Sequence, residues 1–305
     1  MEQSQDFSEI KSKPRSNRII NWQPYLLLMP ALLVMVGILI PFFTSVYYTL
    51  TDFRLGSANV SFVGLRNYID LITSREFWHH SSVTFRYAFY AVAIESVLGL
   101  IIALLLNTET IAARIGRVFL LFPLMIAPIV GTLLWKLMMS PTFGVLNYFL
   151  SFFGLQDFPW GSAPESAMAT VVLVDVWIFT PFFALLILAG LRAMPQAPFE
   201  AARVDGASRF FIFKNLTLPM VLPYYLVALV FRLIDSLRQF DIIYGMTKGG
   251  PFDVLMNYQV TAYTRSFSYK DFSGGATIMV INFILVFIVS KALITYWRKA
   301  QDKLS

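Results

Sequence analysis

Six stretches of the chain are apolar almost throughout and long enough to cross a bilayer, which takes about 20 helical residues. They cover roughly 25–50, 83–107, 118–139, 166–190, 219–243 and 276–297. Shorter polar segments separate them, so the pattern predicts six spanning helices joined by loops. The first window follows a polar tail of 24 residues. It is longer than a signal-peptide core and lacks a small-x-small cleavage site, so it is expected to stay uncleaved. The expected plan is a tail at 1–24, a membrane body at 25–297 and a short tail at 298–305.

Composition agrees with the pattern. Of 305 residues, 57% are hydrophobic and 14% charged, against about 25% charged in soluble domains. The class expected is an all-α, multi-pass membrane protein. With no Cys and with His79 and His80 as the two histidines, thiol catalysis, disulfides and metal chemistry are not expected. The net charge of +6 is distributed as a topology signal and does not call for nucleic acid. The first tail, the segments after windows 2 and 4 and the last tail hold 13 Lys and Arg, against 7 in the other three loops. Basic residues stay on the cytoplasmic side, so both termini are expected there. The stretch Ser140 to Glu165, with no basic residue, fits the external face.

Besides Arg238 and Asp241 at the far end of the fifth, seven charges fall inside the windows. Arg86, Lys136 and Lys291 sit near helix ends and can reach the interface along their own stems. Arg232, Asp235, Glu95 and Asp175 lie deeper, where charge is costly and normally faces a bundle interior or a watery path. Arg232, Asp235, Ser236 and Gln239 are spaced i, i+3, i+4 and i+7, the spacing of one helix face. Asp175, Ile178, Phe179 and Phe182 repeat that spacing on the preceding span. Carboxylates, amide and guanidinium beside aromatic rings suit a sugar, whose hydroxyls take hydrogen bonds and whose ring stacks. The plainer alternative is an Arg232–Asp235 pair along one helix, with the phenylalanines as packing. Glu95 and Asn282 are expected to hold helices together.

Between windows 4 and 5 the longest cytoplasmic segment, 191–218, contains Glu200-Ala201-Ala202-Arg203-Val204-Asp205-Gly206-Ala207. Alanines favour a short helix, Glu200 suits its N-terminal end, and Gly206 permits a left-handed turn that ends it. Small residues on such a helix allow a close fit to a partner; a simple surface connector would look similar.

This segment, followed by Phe213, Leu216, Leu218 and Pro219, resembles the hallmark of the inner-membrane permeases of binding-protein-dependent ABC importers. Leu216 stands where Ile or Val is commoner. Phe62–Tyr68, Pro141–Gly144 with Asn147, Trp177 with Pro181, and Thr247–Pro251 resemble the carbohydrate branch, and within it the first of two permeases. The resemblance implies the six-span type I permease fold in a bacterial inner membrane, with Glu200, Ala201, Ala202, Asp205, Gly206, Ala207 and Pro219 in ATPase coupling. It also implies a homologous second permease, two cytoplasmic ATPase subunits that hold ATP and Mg, and an external solute-binding protein that delivers a sugar. In maltose-type members the corresponding positions on these two helices contact substrate, which the resemblance carries to Asp175, Ile178, Phe179, Phe182, Arg232, Asp235, Ser236 and Gln239. The chain has no G-x-x-x-x-G-K-[ST] segment, so ATP hydrolysis is assigned to a separate subunit, and no cofactor is expected on this one. Two rivals are a secondary transporter using the buried carboxylates and a membrane enzyme on lipid-linked sugars.

Overall fold

The structure, a computed structural model, describes residues 23–155 and 158–302. The basic tail with Lys11, Lys13, Arg15 and Arg18, and Lys303 near the other end, lie outside the described residues. No strand occurs among the described residues; Thr51 and Phe62 form an isolated bridge. The chain up to Thr44 and the chain from Ser45 form separate compact units. The first consists of most of α1 (Gln23–Tyr48), apolar and long enough to span, with Pro30 and Pro41 inside it.

The second unit begins with a staple built from the first sequence motif. Asn67, on the short helix α2 (Arg66–Thr73), donates to the carbonyls of Thr49 and Thr51 at 2.8 and 2.7 Å. Tyr68 shares a 2.8 Å hydrogen bond with Thr49. The motif therefore ties off the end of α1. Helix α3 (Arg75–Leu106) begins eight residues before the apolar window, because Ser74 caps it by accepting from the Phe77 amide at 3.2 Å. Its first turns carry His80, Ser81 and Thr84, which are buried and hid the helix from a hydropathy reading.

The third window is broken. Helix α4 (Ile111–Met125) and helix α5 (Pro128–Met138) meet at 97° across Ile126 and Ala127. Pro128 lacks the N–H that a continuous helix needs, and its ring pushes Ala127 to extended backbone, ψ 133°. Among the described residues there are thus five apolar helices of spanning length, and up to six spans if the bent pair crosses as one. After α6 (Val145–Ser151), Asn147 accepts from the Trp160 indole at 2.5 Å and donates to the Ser140 carbonyl at 3.2 Å.

Helix α7 (Pro164–Ala193) is the central element and packs most extensively against α3. Lipid offers no hydrophobic drive between helices, so close packing of small residues must supply the attraction. The buried face of α3 supplies it with Ala88, Ala91, Ser96, Gly99 and Ala103, and Gly99 lies against the backbone of Phe183 and Ala184. Next come α8 (Ala197–Val204) and α9 (Arg209–Ile212), then a π-turn at Phe213–Thr217 that runs directly into α10 (Leu218–Ser236). The expected loop 191–218 is therefore shorter: its last third is helical and continuous with the span.

At the other end, α10 stops at Ser236, short of the expected 243. Gln239 thus lies beyond the helix, and the i+7 argument for its position does not hold. The turn is fixed from outside. Asn257 donates to the Gln239 carbonyl at 2.5 Å while its side-chain oxygen accepts from the Val260 amide at 2.9 Å. Helix α11 (Asp241–Thr247), the Thr247–Pro251 motif with positive φ at Lys248 and Gly249, and α12 (Tyr258–Tyr263) follow. A π-turn then leads to the last span, α13 (Phe272–Asp302).

Asn257, fully buried, is the joint between α12 and the turn after α10. Asn257→Ala should cost about 1 to 3 kcal/mol, through a lost cap and an orphaned buried carbonyl. Asn257→Ser, which keeps a capping oxygen, should lose less. Melting temperatures of the purified assembly should fall in the order wild type, Ser, Ala; coincident melting curves would contradict the assignment.

Candidate functional site

Where α3, α7 and α10 meet, Arg232 of α10 is buried among three carboxylates. Its Nε donates to Glu95 Oε2 at 2.8 Å and its Nη2 to Glu95 Oε1 at 2.9 Å, a two-pronged pair with α3. Nη2 also donates to Asp175 Oδ2 of α7 at 2.9 Å and to Ser236 Oγ at 3.2 Å, while Nη1 donates to Asp235 Oδ2 at 2.5 Å. Gln239 donates to the other oxygen of Asp175 at 3.3 Å. The guanidinium carbon stands 3.9 Å from the centre of the Phe179 ring, a cation–π contact that is strong when water is excluded. A planar cation with donors on three nitrogens is the side chain that can satisfy this many acceptors at once.

The structure therefore joins most of the residues singled out from the sequence, though not as an open stripe. Arg232, Asp175, Ser236 and Gln239 are buried, and Ile178 belongs to the hydrophobic core with Val174, Ile242 and Ile243. Phe179 and Phe182 are half-buried. Asp235 is the member that looks outward, with its side chain 57% exposed. The expected intrahelical pair of Arg232 and Asp235 exists, but it is one arm of a larger network. Glu95, expected to join helices, does so through Arg232. Its depth in the third-helix face was visible in the sequence; its partner, 137 positions away, was not. Phe231 was missed altogether: it is exposed one turn before Asp235, with its ring 6.5 Å from that of Phe182. Asn282, also expected to join helices, is buried with its side-chain oxygen unpartnered.

On the segment assigned to coupling, α8 begins with Pro198 and Glu200 in its first turn. It ends at Gly206, whose φ is +78°. The Gly206 amide bonds the Arg203 carbonyl at 3.1 Å and the Ala207 amide bonds the Ala202 carbonyl at 2.9 Å. This is the paired closure of a helix by a left-handed residue, for which glycine carries no side-chain penalty. Phe199 packs inward against the Leu188, Leu191 and Met194 cluster, which seats the helix. Glu200, Ala201, Asp205 and Gly206 face outward, and Ala202 and Ala207 are half-buried. Pro219 follows directly on the π-turn, in the first turn of α10.

A cavity of about 740 Å³ opens elsewhere, between the end of α5, Trp160–Ser162 and Thr247, with Lys136 and Phe143 on its wall. Lys136 donates to the Gly245 carbonyl at 3.1 Å. Among the described residues no group of His, Asp or Glu is arranged to hold a metal ion.

The Arg232 network makes a stability prediction. Arg232→Met leaves Glu95 and Asp175 buried without a counter-charge, which should cost about 3 to 5 kcal/mol. The yield of monodisperse protein in detergent should collapse. Adding Glu95→Gln and Asp175→Asn removes the stranded charges and should recover part of it. A single Arg232→Met variant that purifies like wild type would show the network is not a structural hub.

Comparison with known proteins fits this architecture. The chain is 39% identical over 263 residues to the trehalose/maltose transport system permease protein MalF of Thermococcus litoralis, covering 86% of this chain and 89% of the relative. It is 32% identical over 267 residues to the sulfoquinovosyl glycerol transport system permease protein SmoG of Agrobacterium fabrum, covering 87% of each. A chain in the crystal structure of a bacterial ABC transporter that imports the acidic polysaccharide alginate shares the fold, with a TM-score of 0.80 at 19% identity over 91% of this chain and 96% of that one. Residues 95–302, the region that holds the ion network, α8 and the last span, match the binding-protein-dependent transport system inner membrane component family, and the chain belongs to that family.

Proposed function

We propose that this inner-membrane component is the first of two homologous permeases in an ATP-driven sugar importer, with both termini in the cytoplasm. Both relatives named above are permeases for sugars or sugar derivatives. The observation that carries the reading is α8: a short helix seated by Phe199, closed at Gly206, and offering Glu200, Ala201 and Asp205 to a partner. It lies in a segment rich in Arg and Lys, the signature of the cytoplasmic side.

In this reading α8 docks into one of two cytoplasmic ATPase subunits, which hold ATP and Mg; this chain is non-catalytic. Closure of the ATPases pulls α8. The direct helical connection from α9 through the π-turn into α10 carries that movement to Arg232, and through its ion pairs to α3 and α7. An external solute-binding protein delivers the sugar. The pathway runs between this chain and its homologue along the edge formed by Phe179, Phe182 and Asp235, with Asp175, Arg232, Ser236 and Gln239 supporting it from behind and Ile178 anchoring α7 in the core. The half-buried rings offer apolar faces to a sugar, and the carboxylate offers an acceptor to its hydroxyls.

Two variants test the coupling assignment. Gly206→Val forces a β-branched residue into a left-handed turn, at a cost on the order of 1 kcal/mol or more. Glu200→Lys reverses the charge near the start of α8. Both should abolish or severely reduce ATP-driven sugar uptake in proteoliposomes, and both should lower recovery of the ATPase with the permease, while membrane insertion persists. Normal uptake by both variants would remove α8 from the coupling path.

A further inference from the structure

We infer that the pathway face of this chain repels anions, so that the sugar it passes is uncharged. This rests on the pathway reading above and narrows it. A guanidinium deep in a sugar pathway would ordinarily suit a phosphorylated, sulfonated or uronic sugar. Here most of its donors are already engaged within the chain, and the group is withdrawn from the surface. All three nitrogens of Arg232 are engaged: Nε and Nη2 by Glu95, Nη2 again by Asp175 and Ser236, and Nη1 by Asp235. Its charge is also shielded from the outside, because the side chain is only 3% exposed and Phe179 stands over one face of it.

Three carboxylates surround that one cation. Two of them, Glu95 and Asp175, are completely buried, and the third, Asp235, is the one that reaches the surface. The group a passing solute meets is therefore a carboxylate whose nearest cation faces inward. Arg238 is also exposed, but it follows Asp235 by three residues, past the end of α10, whereas the aromatic edge of Phe231 and Phe182 lies one turn before Asp235. Along that edge Asp235 sets the sign. An anionic sugar would have to approach Arg232 past Asp235 and compete with it for Nη1, at the cost of like-charge repulsion. A neutral sugar can donate hydroxyl protons to Asp235 without breaking any pair. The named relatives carry cargo of both kinds, trehalose or maltose and sulfoquinovosyl glycerol, so family membership alone does not choose between them.

The chain contains no Cys, which permits a direct measurement of the sign. Phe231→Cys places a single thiol one helical turn from Asp235. The assembled importer, with its partner permease, ATPases, binding protein and ATP, is treated with two methanethiosulfonate reagents of similar size, one bearing trimethylammonium and one bearing sulfonate. Modification is read as the mass shift of this chain, and each rate is divided by that of a free thiol in solution. The cationic reagent should be favoured by about fivefold or more, the ratio Coulomb's law gives for opposite unit charges about 6 to 8 Å from one carboxylate in water. Adding Asp235→Asn should bring the ratio to within about twofold of the free thiol. Equal rates, preference for the sulfonate reagent, or a cation preference that survives Asp235→Asn would overturn the inference while leaving the pathway in place. Failure of both reagents to react would remove this edge from the pathway and overturn both readings. Uptake of sulfoquinovosyl glycerol by the unmodified importer would overturn the charge inference alone.

Discussion

A single buried cation organises the membrane core of this protein. Arg232 binds Glu95 on α3, Asp175 on α7 and Asp235 on its own helix, and these three helices form the packed centre of the second unit. Charges in such a place are tolerated only when each has partners in good geometry. That requirement fixes the rotation of three helices together: turning any one of them by a fraction of a turn would strand a charge. Apolar packing cannot impose such a condition, because lipid solvates leucine as well as another helix does.

In the proposed coupling, the consequence for function lies in how movement is transmitted. Helix α10 is continuous with α9 and the π-turn that precede it, and it carries Arg232 and Asp235 in its second half. The π-turns at 213–217 and 264–268 introduce local departures from α geometry at the boundaries of α10 and α13, and such insertions often mark places where helices bend in use. A lever that enters the membrane as one helix and ends in ion pairs to two others can move those helices only as a set. The same pairing that gives the core its geometry buries Arg232 and leaves Asp235 as the member of the network at the surface.

Several short motifs that marked the chain as a sugar permease prove to be joints. Asn67 and Tyr68 close the end of α1 and Asn147 holds Trp160; Asn257, outside those motifs, likewise caps α12 while supporting the turn at Gln239. Their side chains satisfy backbone groups where helices stop inside the protein, which is where water cannot do so. Polar residues flanking apolar windows thus serve architecture at least as much as transport.

What the sequence by itself determined follows from local rules. Hydropathy located the spans, because burial of about 20 apolar residues in lipid is a property of the segment alone. The short helix ending at Gly206 was legible for the same reason, since alanine propensity and a left-handed glycine act within a few residues. The proline that bends the third window, Pro128, was present but was outweighed by the unbroken apolar run around it. Tertiary structure alone decided the rest. Whether Arg232 would pair with Asp235, a neighbour on its own helix, or with Glu95, 137 residues earlier, depends on which helix faces which. Gln239 reaches Asp175 from beyond the end of α10, by a turn that Asn257 holds from outside. Pairing across helices is set by packing, and periodicity along one helix carries no record of the neighbour it will meet.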